Sequence, residues 1–257
     1  MQFKFLKVDI ADYVALVTMD RPPVHAQNAA MREEIVQAFD RLGDDDAVRS
    51  IVLTGSGSVF SAGADIKERP GVAEEPGRYS RHNRLTRETF YSISECARPV
   101  VGAINGPALG AGFALAASCD ILLASANAVF GMPEVDVGLA GGVKFLQSLL
   151  GKSKSRLMLF TGERISAAEM YRLGAIEACL PQEDLLPAAM AVARRIASKS
   201  PLTVRLLKES VGMVENLSLR DGYRLEQNVT VRLSKTEDAK EAQRAFNEKR
   251  SPVFVGR

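Results

Sequence analysis

Two turns built from glycine and alanine constrain this chain more than any other feature. Residues 60–67 read FSAGADIK and residues 104–112 read INGPALGAG. Each follows an apolar, strand-like run, and the second leads into a helix-like one. Backbone amides left unpaired at such turns can converge on an oxygen that is gaining negative charge, and small side chains let that oxygen come close.

The segments around the turns predict how they are carried. Residues 13–19, β-branched and aromatic, end at the turn signal DRPP of 20–23 and read as a strand. Met31, Ile35, Phe39 and Leu42 recur at helical spacing after Asn28, which suits an N-cap, and the helix stops at Gly43. Residues 50–54 are then a short buried strand feeding the first turn. The cycle repeats as a polar loop at 69–78, a helix at 80–96, a strand at 99–104 and a small-residue helix at 112–118. Further strands are expected at 120–124 and 128–130. Strands alternating with helices predict an α/β architecture, because parallel neighbours need a crossover. From about residue 185 the pattern becomes amphipathic helix with hardly any strand, at 185–199, 201–214, 217–233 and 236–246, and Pro201 suits a first helical turn. The expected organisation is an α/β core over 1–184 and a helical region over 185–257.

Composition removes several classes of function. With 33 Lys+Arg against 31 Asp+Glu in 257 residues, the net charge of +2 gives no global field for nucleic acid or an anionic membrane. The longest apolar stretches are broken by glycine and fall short of the ~20 residues that span a bilayer. The first ten residues alternate charge and have neither a continuous apolar segment nor a small-residue cleavage site, so a cytoplasmic protein is expected. Three cysteines, Cys96, Cys119 and Cys179, at wide spacing and only two histidines predict inert thiols, no disulfide framework and no metal site.

A third segment, FGMPEVDVGLA at 130–140, places one glutamate, Glu134, in a stretch punctuated by Gly and Pro. Two polarising amides and one carboxylate suit proton transfer beside a thioester carbonyl. At these residues the chain resembles the crotonase (enoyl-CoA hydratase/isomerase) family, whose pattern is F-x-A-G-A-D-I-K, then N-G-x-A-x-G-G-G, then F-G-x-P-E-x-x-x-G. The resemblance runs from about Tyr13 to the C-terminus, and the joint order and spacing of three motifs make it specific.

What the resemblance implies is a spiral of β-β-α turns with a C-terminal helical trimerisation layer, often doubled into a hexamer. It implies a coenzyme A thioester as substrate, with no permanently bound cofactor, no nucleic acid and no membrane partner. It puts the oxyanion amides at Ala64 and Ala111, where the donor is the backbone, and the proton carrier at Glu134. By the same correspondence Val24, Ala26, Ala62, Asp65 and Ile66 contact the nucleotide end of CoA. Lys67 and, from the tail, Phe246 and Lys249 are positioned for its mouth.

One departure from the family bears on the reaction. Family hydratases share proton work between two glutamates, and the first of these positions is here Ala114. Hydration needs a base for water and an acid for the α-carbon, whereas moving a double bond one position can use one carboxylate as a shuttle. Isomerisation is therefore slightly favoured, with hydration as the alternative and an inactive acyl-CoA-binding or RNA-binding member as a second. The segment also resembles that of dienoyl-CoA isomerases, but these have aspartates where this chain has Ala114 and Gly142. Asp136, two residues past Glu134 in a strand-like stretch, is expected on the opposite face. His82 is expected in a solvated helix bordering the acyl pocket, and a catalytic role for His25 is not expected.

Overall fold

The chain doubles back on itself within its first twenty residues. In a computed structural model that describes residues 2–68 and 75–257, strand β1 (Leu6–Ala11) pairs antiparallel with β2 (Val14–Met19). Asp12 and Tyr13 make the two-residue turn, both with positive φ, as a hairpin of that length requires. β3 (Ser50–Gly55), β4 (Val100–Ile104), β6 (Ile121–Ser125) and β9 (Ala178–Leu180) then add in parallel, giving the order β1-β2-β3-β4-β6-β9. Every residue of β3 and β4 is buried, which is why both read as unbroken apolar runs. A smaller sheet holds β5 (Ala108–Leu109) parallel to β7 (Val129–Gly131), with β8 (Arg164–Ser166) antiparallel at its edge.

Helices cover both faces of the larger sheet. α1 (Ala29–Asp44) begins where the Asn28 carboxamide oxygen accepts from the Met31 amide at 2.9 Å, and it buries Met31, Ile35, Phe39 and Leu42. α2 (Arg78–Ser94) packs beside it, and the short α3 (Ala111–Ala117) lies within the same core as Phe60, Phe113 and Phe130. α4 (Val143–Leu149), α5 (Lys152–Thr161) and α6 (Ala167–Arg172) follow the smaller sheet. On the opposite face α7 (Gln182–Ala197) lays Leu185, Ala189, Ala193 and Ala197 against Val14, Val52, Val101 and Leu123. That four-residue spacing keeps one face on the sheet, and its alanines let the helix sit close. α8 (Pro201–Val214), α9 (Leu219–Leu233) and α10 (Glu237–Asn247) complete the chain.

Several expectations are corrected. β1 carries no apolar alternation strong enough to stand out, because most of its residues are partly or fully exposed. The helix expected at 80–96 is Arg78–Ser94, and that expected at 112–118 is Ala111–Ala117. α7 starts at Gln182, so the expected division between 184 and 185 falls inside a helix that packs on the sheet. Residues 133–137 form a 3-10 turn rather than a strand-like stretch. Of the expected loop at 69–78, residues 69–74 lie outside the described residues.

Among the described residues no helix is long and apolar enough to cross a membrane, and no group of three His, Cys, Asp or Glu is placed to hold a metal. Burial pushes the Cys96 and Cys119 thiols above their ordinary range, which leaves them weak nucleophiles.

The C-terminal segment is clamped by one carboxylate. Asp238, 1% exposed, accepts from Ser200 Oγ at 2.6 Å and from the amides of Val255 and Gly256 at 2.8 and 3.1 Å. Arg49 on the core side donates to Ala197 O and Phe254 O, tying that same tail to α7. Replacing Asp238 by alanine strands the buried Ser200 hydroxyl, at a cost of about 1–3 kcal/mol, and leaves the part-buried Val255 and Gly256 amides without their acceptor. Asp238→Ala is expected to lower the melting temperature by about 5 °C or more in a thermal scan, and an unchanged transition would show that the clamp is not stabilising.

Candidate active site

Asn105, at the start of the second turn, fastens it to residues 55–59, which lead into the first. Its side-chain oxygen accepts from the Gly55 amide at 3.1 Å, and its nitrogen donates to Gly57 O and Val59 O at 2.9 and 3.3 Å. The chains then run side by side, with Ser61 N donating to Pro107 O and Leu109 N donating to Ser61 O, both at 3.0 Å. A Cβ on Gly63 would lie 2.6 Å from Leu109 O and 3.2 Å from Ala111 N, and φ there is +97°. Only glycine fits, and the fit brings the residue before Ala64 against the amide of Ala111.

The direction of the Ala64 amide follows from its neighbours. Gln27 N donates to Gly63 O at 2.8 Å and Asp65 N donates to Gln27 O at 3.0 Å, a parallel bridge that flanks Ala64. Alternation along an extended chain turns the Ala64 N–H away from Gln27. Ala111 is the first residue of α3, where an amide has no intrahelical acceptor. Both residues are partly exposed.

Glu134 reaches the same place from the smaller sheet. β7 pairs with β5, Gly110 N donates to Gly131 O at 2.9 Å, and the chain turns at Pro133 into the 3-10 segment Pro133–Val137. A Cβ on Gly110 would lie 2.6 Å from Glu134 Oε1, and Gly110 has φ 54° and ψ −121°, outside the range of L side chains. The carboxylate thus lies over the residue preceding the Ala111 amide. Beyond it opens a cavity of ≈ 550 Å³, walled by Met132, Leu139, Val143, Leu159 and Phe160 as well as Glu134. Among the described residues lining it, Glu134 is the sole carboxylate. Ala114 is 2% exposed and its amide donates to Gly110 O at 3.1 Å. Asp136 lies elsewhere, its carboxylate against Gly162.

The residues assigned by resemblance to the nucleotide end surround a second, tightly bonded loop. Ala62 N donates to Val24 O at 2.9 Å, so that amide is engaged within the chain. Arg21 donates to Ala26 O at 2.6 Å and to Asp65 Oδ2 at 2.7 Å. Desolvation opposes ionisation of Asp65, but the Lys67 amide and the Arg21 guanidinium outweigh it and hold the carboxyl below its ordinary range. An ionised Asp65 is matched to Arg21 rather than to a phosphate. Ile66 is exposed on a 3-10 turn. Lys67 borders a ≈ 390 Å³ cavity with Arg78, Arg81 and His82. Phe246, 84% exposed, lies in the last turn of α10 and Lys249 follows the helix, and neither borders the Glu134 cavity within this chain.

His25 is a lock on that loop. It is 2% exposed with φ 49°; Nδ1 accepts from Arg21 N at 3.0 Å, so Nε2 carries the proton and donates to Ser56 O at 2.8 Å. Its carbonyl accepts from Ser61 Oγ at 2.8 Å, which couples it to the first turn. No motif announces this pairing, since its partners are mostly backbone atoms.

Comparison with known proteins agrees with the geometry. The chain matches the family described as enoyl-CoA hydratase/isomerase over residues 9–257, and it belongs to that family. A Dictyostelium discoideum protein named "Probable enoyl-CoA hydratase, mitochondrial" is 38% identical over 94% of this chain and 87% of its own. The crystal structure of an enoyl-CoA hydratase from Bacillus anthracis superposes with a TM-score of 0.92 at 31% identity, covering 99% of this chain and 100% of that one. A second, titled as an enoyl-CoA hydratase subunit from Geobacillus kaustophilus, gives 0.91 at 36% identity, covering all of both chains.

The Gly110 contact is directly testable. Gly110→Ala forces the new methyl onto Glu134 Oε1 and is expected to cut acyl-CoA turnover by about 10²-fold, the scale of positioned acid–base catalysis. Gly138→Ala, also at positive φ but with open space around it, is expected to keep turnover at a modest cost in stability. Equal kinetics for the two variants would detach Gly110 from the carboxylate.

Proposed function

We propose that this enzyme shifts a carbon–carbon double bond in an enoyl-CoA, from the 3- to the 2-position, with Glu134 as its one proton carrier. The observation that supports this reading is that, among the described residues, a single carboxylate lines the cavity, beside the Gly110–Ala111 turn against which Gly63 packs. The thioester carbonyl oxygen accepts from the Ala64 and Ala111 amides. Glu134 removes a proton from C2, electrons flow through the conjugated system into an enolate held by those amides, and the protonated glutamic acid returns the proton at C4. The thioester carbonyl reforms and the double bond lies between C2 and C3. Loss of one such amide commonly costs about 10²- to 10³-fold in rate. Coenzyme A is part of the substrate on this reading, and Val24, Ala26, Ala62, Asp65, Ile66 and Lys67 shape its nucleotide end.

Hydration of a 2-enoyl-CoA is the second reading, favoured by the names of the relatives. Turnover of 3-enoyl-CoA and 2-enoyl-CoA, each assayed alone, separates the two. Exposed apolar residues in the helical region, among them Leu219 and Phe246 at 89% and 84%, support assembly into a homotrimer or a dimer of trimers, in which Phe246 and Lys249 would close a CoA site.

Two substitutions test the proton path. Glu134→Gln is expected to lower kcat by at least about 10²-fold while acyl-CoA still binds; near wild-type turnover would remove Glu134 from the chemistry. Ala114→Glu is expected to raise hydration relative to isomerisation. The absolute rate stays low, because a carboxyl at a buried position tends to remain protonated. A folded variant that binds acyl-CoA and shows an unchanged ratio would mean that position 114 does not reach the reacting carbons.

A further inference from the structure

One hydroxyl stands between the His25 loop and the first turn. Ser61 is fully buried, and its Oγ donates to His25 O at 2.8 Å while accepting from Gln27 Nε2 at 3.2 Å and from the Gly63 amide at 3.3 Å. A serine hydroxyl has one proton to give and two lone pairs to fill, and here all three are used. Gly63 is thereby held on both sides: Ser61 Oγ takes its N–H, and the Gln27 amide donates to its C=O at 2.8 Å. In a trans peptide the N–H points opposite to the C=O, so the hold on Gly63 O aims the Ala64 N–H away from Gln27. Glycine is the residue least able to keep such an aim by itself, and Gly63 sits at φ +97°. Of the two groups that pin it, the Gln27 amide is backbone and survives any substitution but proline. The Ser61 hydroxyl is the one that a substitution can remove.

We propose that Ser61 is a positioning residue for the reaction, its hydroxyl holding the Gly63–Ala64 peptide so that the Ala64 amide meets the thioester oxygen as an enolate forms. The proposal rests on the functional reading only in assigning the Ala64 and Ala111 amides to that oxygen. The oxygen carries little charge in the bound thioester and a full one in the enolate, so a donor that drifts off line loses more in the second than in the first. Loss of the hydroxyl therefore weakens the enolate and spares the ground state. A merely structural loss weakens both ligands or neither.

Acetoacetyl-CoA reads the enolate directly, because its C2 is acidic and its enolate absorbs in the near ultraviolet beyond the adenine band. Absorbance titration is expected to show the wild-type protein binding this enolate more tightly than the keto form. Ser61→Ala is expected to lower enolate affinity about tenfold, a part of what one oxyanion donor is worth, while calorimetry gives hexanoyl-CoA an affinity within about twofold of wild type. Ser61→Cys keeps the shape but offers the Gly63 amide a weak acceptor, and is expected to fall between. The matched control is Ser50→Ala: Ser50 is also fully buried and donates to Ala193 O at 2.9 Å, but at the opposite end of β3, and its loss is expected to leave both affinities unchanged. Wild-type enolate affinity in a folded Ser61→Ala or, should that variant not fold, in Ser61→Cys would overturn the proposal. Equal weakening of both ligands, or the same enolate loss in Ser50→Ala, would do so too. A wild-type protein that binds the enolate no better than the keto form would overturn the oxyanion reading, and the proposal with it. Enolate stabilisation without isomerisation of 3-hexenoyl-CoA would overturn the double-bond reading and leave the role of Ser61 standing.

Discussion

The proposed site depends on how closely two backbone turns interlock. The approach of Gly63 to Leu109 O and Ala111 N, and of Gly112 to Ser61 O, leaves no room for a Cβ on either glycine. A side chain there would force the turns apart and separate the two amides proposed to meet on one oxygen. Preorganised donors act strongly because they need no rearrangement as charge develops. Rigidity is supplied by buried polar side chains beneath the turns: Asn105 ties the second turn to the segment leading into the first, and Ser61 Oγ joins His25 O to the Gln27 carboxamide.

The parallel sheet explains where this interlocking can occur. β3 and β4 are neighbours, each buried along its length, and each leads out of its C-terminal end into one of the turns. Pairing the strands in register therefore delivers the turns to one edge together. The smaller sheet does the same for Glu134, since β5 lies within the second turn and its partner β7 leads into that residue. Three motifs far apart in sequence meet through two strand pairings.

Much of this was legible in the chain. Asn28 before a 3.6-periodic run marked α1, Pro201 marked α8, and the apolar runs of β3 and β4 marked doubly covered strands. The three motifs marked the positions that the fold assembles. What escaped was set by contacts made at a distance. β1 has too few buried residues to announce a strand and is held by β2, while β5, β8 and β9 are two or three residues long. The 3-10 turn carrying Glu134 follows Pro133 in a segment whose β-branched residues suggested a strand.

The central claim is that one carboxylate both removes and returns the proton. Its most direct test is label transfer: 3-enoyl-CoA carrying deuterium at C2 is converted in ordinary water, and the product is analysed by mass spectrometry and deuterium NMR. A single shuttle predicts that a measurable fraction of the deuterium appears at C4, because the acid returns part of what it took before exchanging with solvent. Complete loss of label to water at all extents of conversion, with the C4 hydrogen delivered to the face of the dienolate opposite the one deprotonated at C2, would contradict a lone Glu134 and require a second proton donor.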